Sequence, residues 1–359
     1  MNKVEQLIAE LCPNGVVFRP LKNVVRIRNG RDYKNFGEGS IPVYGTGGIM
    51  TRINTSVYEK ASVLIPRKGS LNKLYFVEEP FWTVDTIFYT VINEDFIVPK
   101  FFYYFLVTQR LEDLNQAGGV PSLTQTVLNK IPIPLPPLPI QEEIVNILDT
   151  FTELEAELEA ELEARKKQYA YYRDELLTFG DKVEWKTLGE LGTIKSGKNK
   201  SRASDGVYPV YGSTGAIGYS DSFAYDGTFL LVARVGAYAG LVNKVGGKFD
   251  VSDNTLMIKL NPKVSFGYFY HLLKNINLNQ YASGGGQPLI TATKLKNLSV
   301  PIPRLSEQER IVTILDKFDA LVNDISVGLP AELNARRKQY EYYRNKLLTF
   351  KPLEENNAG

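Results

Sequence analysis

The stretch ARKKQYAYYR at residues 164–173 decides the fold, because it returns as ARRKQYEYYR at residues 335–344. Upstream, PVYGT at residues 42–46 returns as PVYGS at residues 209–213, and GGVP at residues 118–121 returns as GGQP at residues 285–288. These offsets, 171 at the first stretch and 167 upstream, are far longer than the roughly 20–50 residues of a solenoid repeat. The chain is therefore a tandem duplication of one large segment.

Residues 141–179 carry the apolar pattern of one long helix. Large side chains recur there at the three- and four-residue spacings of one helical face, and they include Leu154, Leu158, Leu162, Tyr169 and Tyr172. The second copy, residues 306–350, repeats this face with Ile325, Leu329, Leu333, Tyr340 and Tyr343. The offset grows by four residues along this copy, which a helix tolerates because four residues turn its face by only about 40°. We expect Pro330 to kink the second helix.

Neither helix can bury its apolar face alone. At 1.5 Å per residue, a helix over residues 141–179 would be roughly 58 Å long, which is too long for a compact domain of this size. Its best partner is its own copy, paired antiparallel as a coiled coil. Two copies paired in this way predict a pseudo-twofold arrangement of the chain.

The other segments predict two repeated, strand-rich α+β domains. Short β-type runs at residues 62–65, 87–92 and 228–232 are cut by Gly and Asn turns, and a helical stretch follows in each copy, at residues 99–109 and 266–275. The proline-rich runs at residues 131–139 and 300–303 are typical of stiff extended links that end each domain. The predicted division is a first domain over 1–140, a central helix over 141–179, a second domain over 180–305, a C-terminal helix over 306–350 and a tail over 351–359.

Composition excludes several classes of protein. The 359 residues are 43% hydrophobic and 23% charged, as in soluble globular proteins, and the apolar runs are shorter than the roughly 18 residues of a membrane helix. We expect a cytoplasmic protein without a membrane segment. The single cysteine, Cys12, excludes an intrachain disulfide, and with His271 as the only histidine a zinc site of Cys and His ligands cannot be assembled.

Motifs for catalysis are weak. The run GTIKSGK at residues 192–198 approaches a phosphate-binding loop, but Asn199 stands where Ser or Thr would bind magnesium. Asp85 and Asp253 follow a β-type run in each copy and could act as paired carboxylates, although buried aspartates that cap turns are commoner. His271 lies among aromatic residues, which favours a packing role. We therefore predict a chain that is not an enzyme and that holds neither a metal nor a cofactor.

The charges favour a polyanionic partner. Net charge is +3 over residues 1–140, −7 over residues 141–179 and +7 over residues 180–305. Basic residues cluster near the start of each domain copy, in a part of the repeat where cations and backbone amides can both reach phosphates. They are Arg19, Lys22, Arg26, Arg28, Arg31 and Lys34 in the first copy and Lys195, Lys198, Lys200 and Arg202 in the second.

Together these motifs resemble one family, the specificity subunits of type I restriction-modification systems. The resemblance rests on duplicated domains that end in IPIPLPPL at residues 131–138, followed by QEEIV at residues 141–145 and a long helix that closes on Tyr-Tyr-Arg. It covers nearly the whole chain. One departure is that the second copy reads RLS at residues 304–306, where the first has its fuller proline run.

The resemblance implies a non-catalytic subunit with two target recognition domains, each reading one half of a bipartite site in double-stranded DNA. Two methyltransferase subunits would dock on it and methylate adenine with S-adenosylmethionine. Restriction subunits that use ATP and magnesium would join to cut DNA. The helices would set the spacing of the half-sites and dock the methyltransferases.

The duplication divides the candidate DNA contacts into two sets. Residues shared by both copies cannot distinguish half-sites, so they predict scaffold or backbone contacts, whereas residues that differ predict base contacts. The backbone candidates are Arg31, Tyr44, Arg67, Lys68, Lys198, Tyr211 and Arg234. The base candidates are Arg52, Asn54, Lys73 and Ser122 in the first copy, and Asn199, Lys200, Arg202 and Gln287 in the second.

An alternative of another class stays open on the sequence. Two globular ends joined by long helices would also suit a structural coiled-coil adaptor that binds proteins rather than DNA. The basic clusters count against this interpretation but do not exclude it.

Overall fold

A computed structural model of the chain describes residues 3–115, 118–180, 183–198, 206–284 and 286–353. The chain divides into two compact units. Unit 1 contains Met1–Leu158 together with Leu333–Gly359, and unit 2 contains Glu159–Glu332. Both cuts fall inside helical segments. The compact units therefore differ from the predicted division at residues 140, 179 and 305, because each unit combines one domain copy with part of the helices.

The two copies run through similar series of strands and helices, although α1 and β14 have no matching helix or strand in the other copy. The helices are α1 (Lys3–Leu11), α2 (Pro99–Thr108), α3 (Gln125–Leu128), α4 (Leu138–Leu177), α5 (Leu188–Leu191), α6 (Phe266–Asn275), α7 (Ala292–Lys296), α8 (Leu305–Asn323) and α9 (Leu329–Leu347). The strands are β1 (Val17–Pro20), β2 (Val25–Asn29), β3 (Glu38–Gly45), β4 (Gly48–Ile53), β5 (Ser62–Pro66), β6 (Tyr75–Val77), β7 (Trp82–Thr83), β8 (Ile87–Ile92), β9 (Pro132–Leu135), β10 (Glu184–Thr187), β11 (Gly192–Ser196), β12 (Tyr208–Gly212), β13 (Gly215–Ser220), β14 (Tyr225–Asp226), β15 (Phe229–Ala233), β16 (Val242–Val245), β17 (Lys248–Val251), β18 (Thr255–Leu260) and β19 (Ser299–Ile302).

The two units build corresponding sheets, with one additional strand, β14, in unit 2. Unit 1 has sheets of order β2-β8-β5-β6 and β4-β3-β7 and the pair β1-β9, while unit 2 has β11-β18-β15-β16, β13-β12-β17-β14 and β10-β19. In both units one parallel pairing joins the hairpin to a distant strand, with Val43 opposite Trp82 and Val210 opposite Asp250. The predicted β-type runs lie in β5, β8 and β15, and the predicted helical stretches are α2 and α6. The α+β fold class is therefore confirmed, and the duplication of sequence is a duplication of fold.

The proline-rich runs are strands rather than free links. Pro132–Leu135 pairs antiparallel with Val17–Pro20, and Ser299–Ile302 pairs antiparallel with Glu184–Thr187. Both sheets have two strands, so every strand in them is an edge, where the missing N–H of proline is tolerated. The extended backbone was predicted correctly, but the pairing ties the end of each domain copy to its beginning.

The first turns of α4 belong to the core of unit 1 and do not project. Ile140, Ile144 and Leu148 are fully buried and lie in one hydrophobic cluster with Phe101 of α2 and Leu347 of α9. Ile311 and Leu315 of α8 are equally buried in unit 2, where α8 packs on α6. Each domain copy is thus anchored on the helix that follows it.

The second helical segment is two helices, which corrects the prediction of one kinked helix over residues 306–350. α8 ends at Asn323 and α9 begins at Leu329, so Pro330 lies in the first turn of α9, where proline is tolerated. Gly328 permits the tight turn, since a Cβ there would lie 2.4 Å from the carbonyl oxygen of Ala320. Ile325 is 83% exposed in this turn, and its assignment to the apolar face is wrong. The four extra residues of the second copy are accommodated by the turn.

The helical faces pair as predicted, through the same aromatic contacts in each unit. In unit 1, Phe151 of α4 lies 6.3 Å from Tyr340 and 5.6 Å from Tyr343 of α9, measured between ring centroids, and Arg337 Nε donates to Glu155 at 2.6 Å. Residue numbers rise along α4 as they fall along α9, so this pairing is antiparallel. In unit 2, Tyr169 and Tyr172 of α4 stack on Phe318 of α8 in the matching way.

The predicted helix-face residues differ in burial. Leu162, Leu329 and Leu333 are buried, and Leu158 is half-buried. Leu154 and Tyr172 are more open, at 39% and 38% exposed. The apolar face is therefore only partly covered.

The predicted tail begins with a paired segment. Val16 N donates to the Lys351 carbonyl at 2.8 Å, and Leu353 N donates to the Val16 carbonyl at 2.9 Å. Gly15, with a φ of +111°, brings its backbone close to Pro352. The described part of this segment, residues 351–353, is thus held by the N-terminal part of unit 1.

Candidate nucleic-acid interface

Four loops that are distant in sequence meet in unit 1. Arg67 N and Thr46 Oγ1 both donate to the Thr86 carbonyl, at 2.9 and 3.0 Å. Gly69 N donates to the Pro121 carbonyl at 3.0 Å, and Lys73 Nζ donates to the Gly47 carbonyl at 3.0 Å. We call residues 45–48, 67–73, 84–87 and 118–123 the loop cluster of unit 1.

Unit 2 repeats this frame. Arg234 N and Ser213 Oγ both donate to the Asn254 carbonyl, at 2.9 and 3.1 Å, and Gly236 N donates to the Pro288 carbonyl at 3.0 Å. The loop cluster of unit 2 therefore comprises residues 212–215, 234–240, 252–255 and 286–290. The hydroxyl groups of Thr46 and Ser213 join two loops in each unit, a role that was not predicted. The signal in the sequence was that the last residue of PVYGT and PVYGS carries a hydroxyl group in both copies.

Two glycines explain why this frame is the same in both units. Gly69 has a φ of +86° and Gly236 a φ of +81°, in the left-handed region that side chains with a Cβ rarely adopt. Each glycine turns the chain so that its N–H reaches the proline carbonyl of the last loop. The recurrence of Gly69 as Gly236 is thus a backbone requirement.

The predicted base candidates of the first copy separate into two places. Lys73 and Ser122 lie in the loop cluster, whereas Arg52 and Asn54 lie at the far end of the β3–β4 hairpin. Arg52 Nη1 donates to the Ser40 carbonyl at 2.6 Å. Arg52 is four residues from the hairpin turn at Gly48, or about 13 Å at 3.3 Å per residue, so it is not part of the loop cluster.

In the second copy, Gln287 is exposed in the loop cluster. Asn199, Lys200 and Arg202 lie outside the described residues.

The backbone candidates show different surroundings. Tyr44 is half-buried, with its ring 5.7 Å from that of Tyr75, and burial raises its pKa. Tyr211 packs edge-on against Phe249 at 5.8 Å. These contacts favour the scaffold role for both tyrosines.

Three other candidates belong to the frame of the loop clusters. Arg67 Nη1 approaches the Asp85 carbonyl at 3.4 Å, and Lys68 lies in a bridge to Ser122. The Nε of Arg234 is buried and has no hydrogen-bond partner among the described residues.

In each unit an edge strand with exposed basic side chains precedes one of the backbone candidates, Arg31 in unit 1 and Lys198 in unit 2. The side chains of Arg26 and Arg28 are exposed on β2, an edge strand, and line surface grooves with Lys22 and Arg31. In unit 2 the matching edge strand β11 exposes Lys195, and Lys198 follows it as Arg31 follows β2. Cations therefore recur at the same place in both units, as the sequence predicted.

Each residue considered for catalysis has surroundings of its own. His271 is buried, its Nε2 lies 2.8 Å from Asp316 Oδ1, and burial lowers its pKa although Asp316 opposes this shift. Tyr104 makes the matching contact with Asp149 in unit 1, which agrees with a packing role. Asp85 and Asp253 are exposed, so the expectation that they are buried is wrong. In the described ranges no three His, Cys, Asp or Glu side chains form a potential metal site.

None of the helices in the described ranges combines the length and apolar character needed to cross a membrane.

Comparisons with known proteins agree with this duplicated architecture. A family model described as the type I restriction modification DNA specificity domain matches residues 13–164 and again residues 181–335. The specificity subunit of the EcoprrI type I restriction enzyme from Escherichia coli is 31% identical over 358 residues, covering 87% of this chain and 89% of that protein. The EcoR124I/EcoR124II specificity subunit, also from Escherichia coli, is 36% identical over 285 residues, covering 70% of each.

The fold is also found in a solved structure. The type I restriction-modification S subunit from M. genitalium superposes with a TM-score of 0.64 at 18% identity, covering 93% of this chain and 96% of that chain. Since the family model matches both copies and the relatives match over most of their length, the chain belongs to the family of type I restriction-modification specificity subunits.

Proposed function

We propose that this chain is the sequence-specific double-stranded DNA-binding subunit of a type I restriction-modification complex, with each unit reading one half of a bipartite site. Membership of the family supports DNA sequence recognition. The bipartite reading rests on the repeated loop cluster, because one backbone frame carries different side chains in the two units.

One backbone bridge that recurs in both units, with different side chains, supports the proposal that the two half-sites differ. In unit 1, Lys68 pairs with Ser122, and in unit 2 the same backbone bridge joins Val235 to Leu289. Lysine and serine side chains donate hydrogen bonds to base edges, whereas valine and leucine offer apolar contact such as that with the thymine methyl group. The two half-sites should therefore differ. Since Lys68 is matched by Val235, Lys68 belongs with the residues that differ rather than with the shared backbone contacts.

The helices would hold the two units at a set spacing and dock the methyltransferase subunits. Tyr171 and Tyr342, at matching places in the two copies of the Tyr-Tyr-Arg motif, are 65% and 62% exposed. Exposed aromatic side chains are enriched in protein interfaces. Their recurrence supports two docking sites of one kind, one for each of two identical partner subunits.

Methylation and cleavage would be carried out by the partner subunits. In this proposal the methyltransferase subunits bind S-adenosylmethionine, and the restriction subunits bind ATP and magnesium. The specificity subunit contributes binding and orientation. It places a chosen duplex against the catalytic sites of its partners.

A selection experiment tests the proposal. The chain, co-purified with its methyltransferase partner, is mixed with duplexes that contain a random 30-base-pair segment, and the bound duplexes are sequenced. We expect a motif of two unlike half-sites separated by unread positions, with binding that weakens steeply as salt rises. Absence of any enriched motif and of salt-dependent duplex binding would instead favour the coiled-coil adaptor.

A further inference from the structure

The loop cluster of each unit contains one matched aspartate in the same turn. Around Asp85, Val84 N donates to the Tyr44 carbonyl at 3.0 Å and Ile87 N donates to the Val84 carbonyl at 3.2 Å. Around Asp253, the matching bonds join Ser252 N to the Tyr211 carbonyl at 2.9 Å and Thr255 N to the Ser252 carbonyl at 3.2 Å. Each aspartate therefore occupies the second position of a turn that is fixed at both ends.

Neither carboxylate serves its own turn. Asp85 and Asp253 are exposed, and no described residue forms a hydrogen bond or ion pair with either side chain. A turn aspartate commonly accepts from backbone N–H groups two residues on, but here the turn is closed by backbone bonds alone. The turn fixes the backbone of each aspartate, and none of the described residues pairs with its carboxylate, so a ligand can reach it.

The position of Asp85 is within the surface assigned to DNA. The carbonyl of the next residue, Thr86, receives two of the hydrogen bonds that join the loop cluster. Asp85 also lines a cleft of about 860 Å³ with Thr46 and Gly47 of the hairpin turn, Met50 of β4 and Lys34. The carboxylate therefore lies at the wall of a concave surface.

Charge limits what these aspartates can contact. Residues shared by both units are otherwise candidates for phosphate contacts, but a carboxylate repels phosphate and cannot take that role. The hydrogen-bond donors that duplex DNA presents in its major groove are the exocyclic amino groups, N4 of cytosine and N6 of adenine. A carboxylate accepts from such a donor.

The geometry points to Asp85 and Asp253 as base-reading residues, each accepting a hydrogen bond from an exocyclic amino group of cytosine or adenine in the half-site read by its unit. This inference rests on the proposed function. It adds one type of base contact, made by an aspartate, that is common to both half-sites. The residues that differ between the units make the contacts that distinguish the half-sites.

The test begins with the motif that the wild-type chain and its methyltransferase partner select from the random duplex library. Binding of this motif is then measured for Asp85→Ala and Asp253→Ala, which remove the oxygen atoms that would accept the hydrogen bond. Asp95→Ala and Asp226→Ala are matched controls, because both residues are exposed aspartates outside the loop clusters. Unfolding curves confirm that the variants fold.

We expect each loop-cluster variant to bind the selected motif about 5- to 150-fold more weakly, as for a lost base contact worth about 1–3 kcal/mol, and to relax selection at one position of one half-site. Duplexes with purine for adenine, or with 2-pyrimidinone for cytosine, lack the amino group. The analogue at the relaxed position should weaken the wild-type chain as much as the variant is weakened and should not weaken the variant further. Which analogue acts identifies the base.

Two results would overturn this inference and leave the proposed function standing. One is unchanged selection by both variants. The other is tighter binding of every duplex with a steeper salt dependence, since this means that the carboxylate only repels phosphates. If the wild-type chain selects no motif, the proposed function itself is wrong, and the inference fails with it.

Discussion

Replacing Gln141 by alanine tests how each domain copy is fastened to its helix. Gln141 is fully buried at the start of α4. Its Oε1 accepts from Val98 N at 2.8 Å, and its Nε2 donates to the carbonyls of Phe96 and Pro136 at 3.0 and 2.7 Å. One side chain thus joins α4 to the segment that begins α2 and to the end of the proline strand. Gln308 does the same in unit 2, accepting from Ser265 N at 2.9 Å and donating to the Pro303 carbonyl at 2.8 Å.

The magnitude follows from these bonds. A hydrogen bond contributes about 1 kcal/mol net, and a buried group left without a partner costs about 1–3 kcal/mol. Gln141→Ala removes three bonds and should lower the free energy of unfolding of unit 1 by about 3 kcal/mol or more. Gln308→Ala removes two and should lower that of unit 2 by about 2 kcal/mol. For units of 150–250 residues, about 3 kcal/mol corresponds to a fall in Tm of roughly 6–12 °C.

Thermal unfolding of the full chain by calorimetry is the appropriate measurement, because the chain divides into two compact units and we expect each to give its own transition. We expect Gln141→Ala to lower the transition of unit 1 and Gln308→Ala that of unit 2. Glu142→Ala is the matched control, since Glu142 is the next residue of α4 and is exposed. The reasoning is refuted if Gln141→Ala lowers Tm no more than Glu142→Ala does.

Four further predictions test other parts of the molecule. Arg234→Ala should weaken binding of all duplexes alike and reduce the salt slope by about one, as expected for a lost phosphate contact; a slope equal to wild type in a salt titration would reject this role. Leu333→Asp places a carboxylate in a buried position of unit 1 and should destabilise that unit and abolish methyltransferase docking, and normal complex assembly in size-exclusion chromatography would show that the helix face is not needed. Four residues inserted after Ala160 add about 6 Å to α4 while turning its face by about 40°. Methylated-adenine mapping should then show a spacer longer by about one base pair and unchanged half-sites. An unchanged spacer with full activity would show that the length of α4 does not set the spacer. Burial lowers the pKa of His271 below its unfolded value, so unit 2 binds fewer protons than its unfolded chain and loses stability as pH falls from about 6.5 through the lowered pKa. His271→Tyr, which copies Tyr104, should remove this loss of stability in unfolding curves measured against pH. An equal loss in both proteins would show that another group is responsible.

The local fold could be predicted from the sequence where the signal is local or repeated. The spacing of large side chains predicted α4, and β-branched runs predicted β5, β8 and β15. Duplication predicted that both copies share one fold. Gly69 also recurs as Gly236, but only the structure gave the reason, which is the positive φ of both glycines.

Three features depended on contacts between distant residues. Pairing of Pro132–Leu135 with Val17–Pro20 joins segments over a hundred residues apart, and no local pattern distinguishes this strand from a polyproline link. The break between α8 and α9 was missed because Ile325 has helical spacing. The turn is set by Asp324, which accepts from Ser326 N at 2.7 Å and from Gly328 N at 3.1 Å. The burial of Asp85 and Asp253 was predicted wrongly, since burial depends on what the rest of the chain covers.

The sequence by itself determined that the chain is duplicated, that it is α+β with long helices, and that cations recur at one place in both copies. Only the tertiary structure decided which candidates belong to one surface. It brought Lys73 and Ser122 together with Arg67 and Asp85 in the loop cluster of unit 1. It placed Arg52 at the far end of the β3–β4 hairpin, away from this cluster. The physical reason is that periodicity and propensity act between near neighbours, whereas a binding surface is made by loops whose ends are fixed by sheets closed between distant strands.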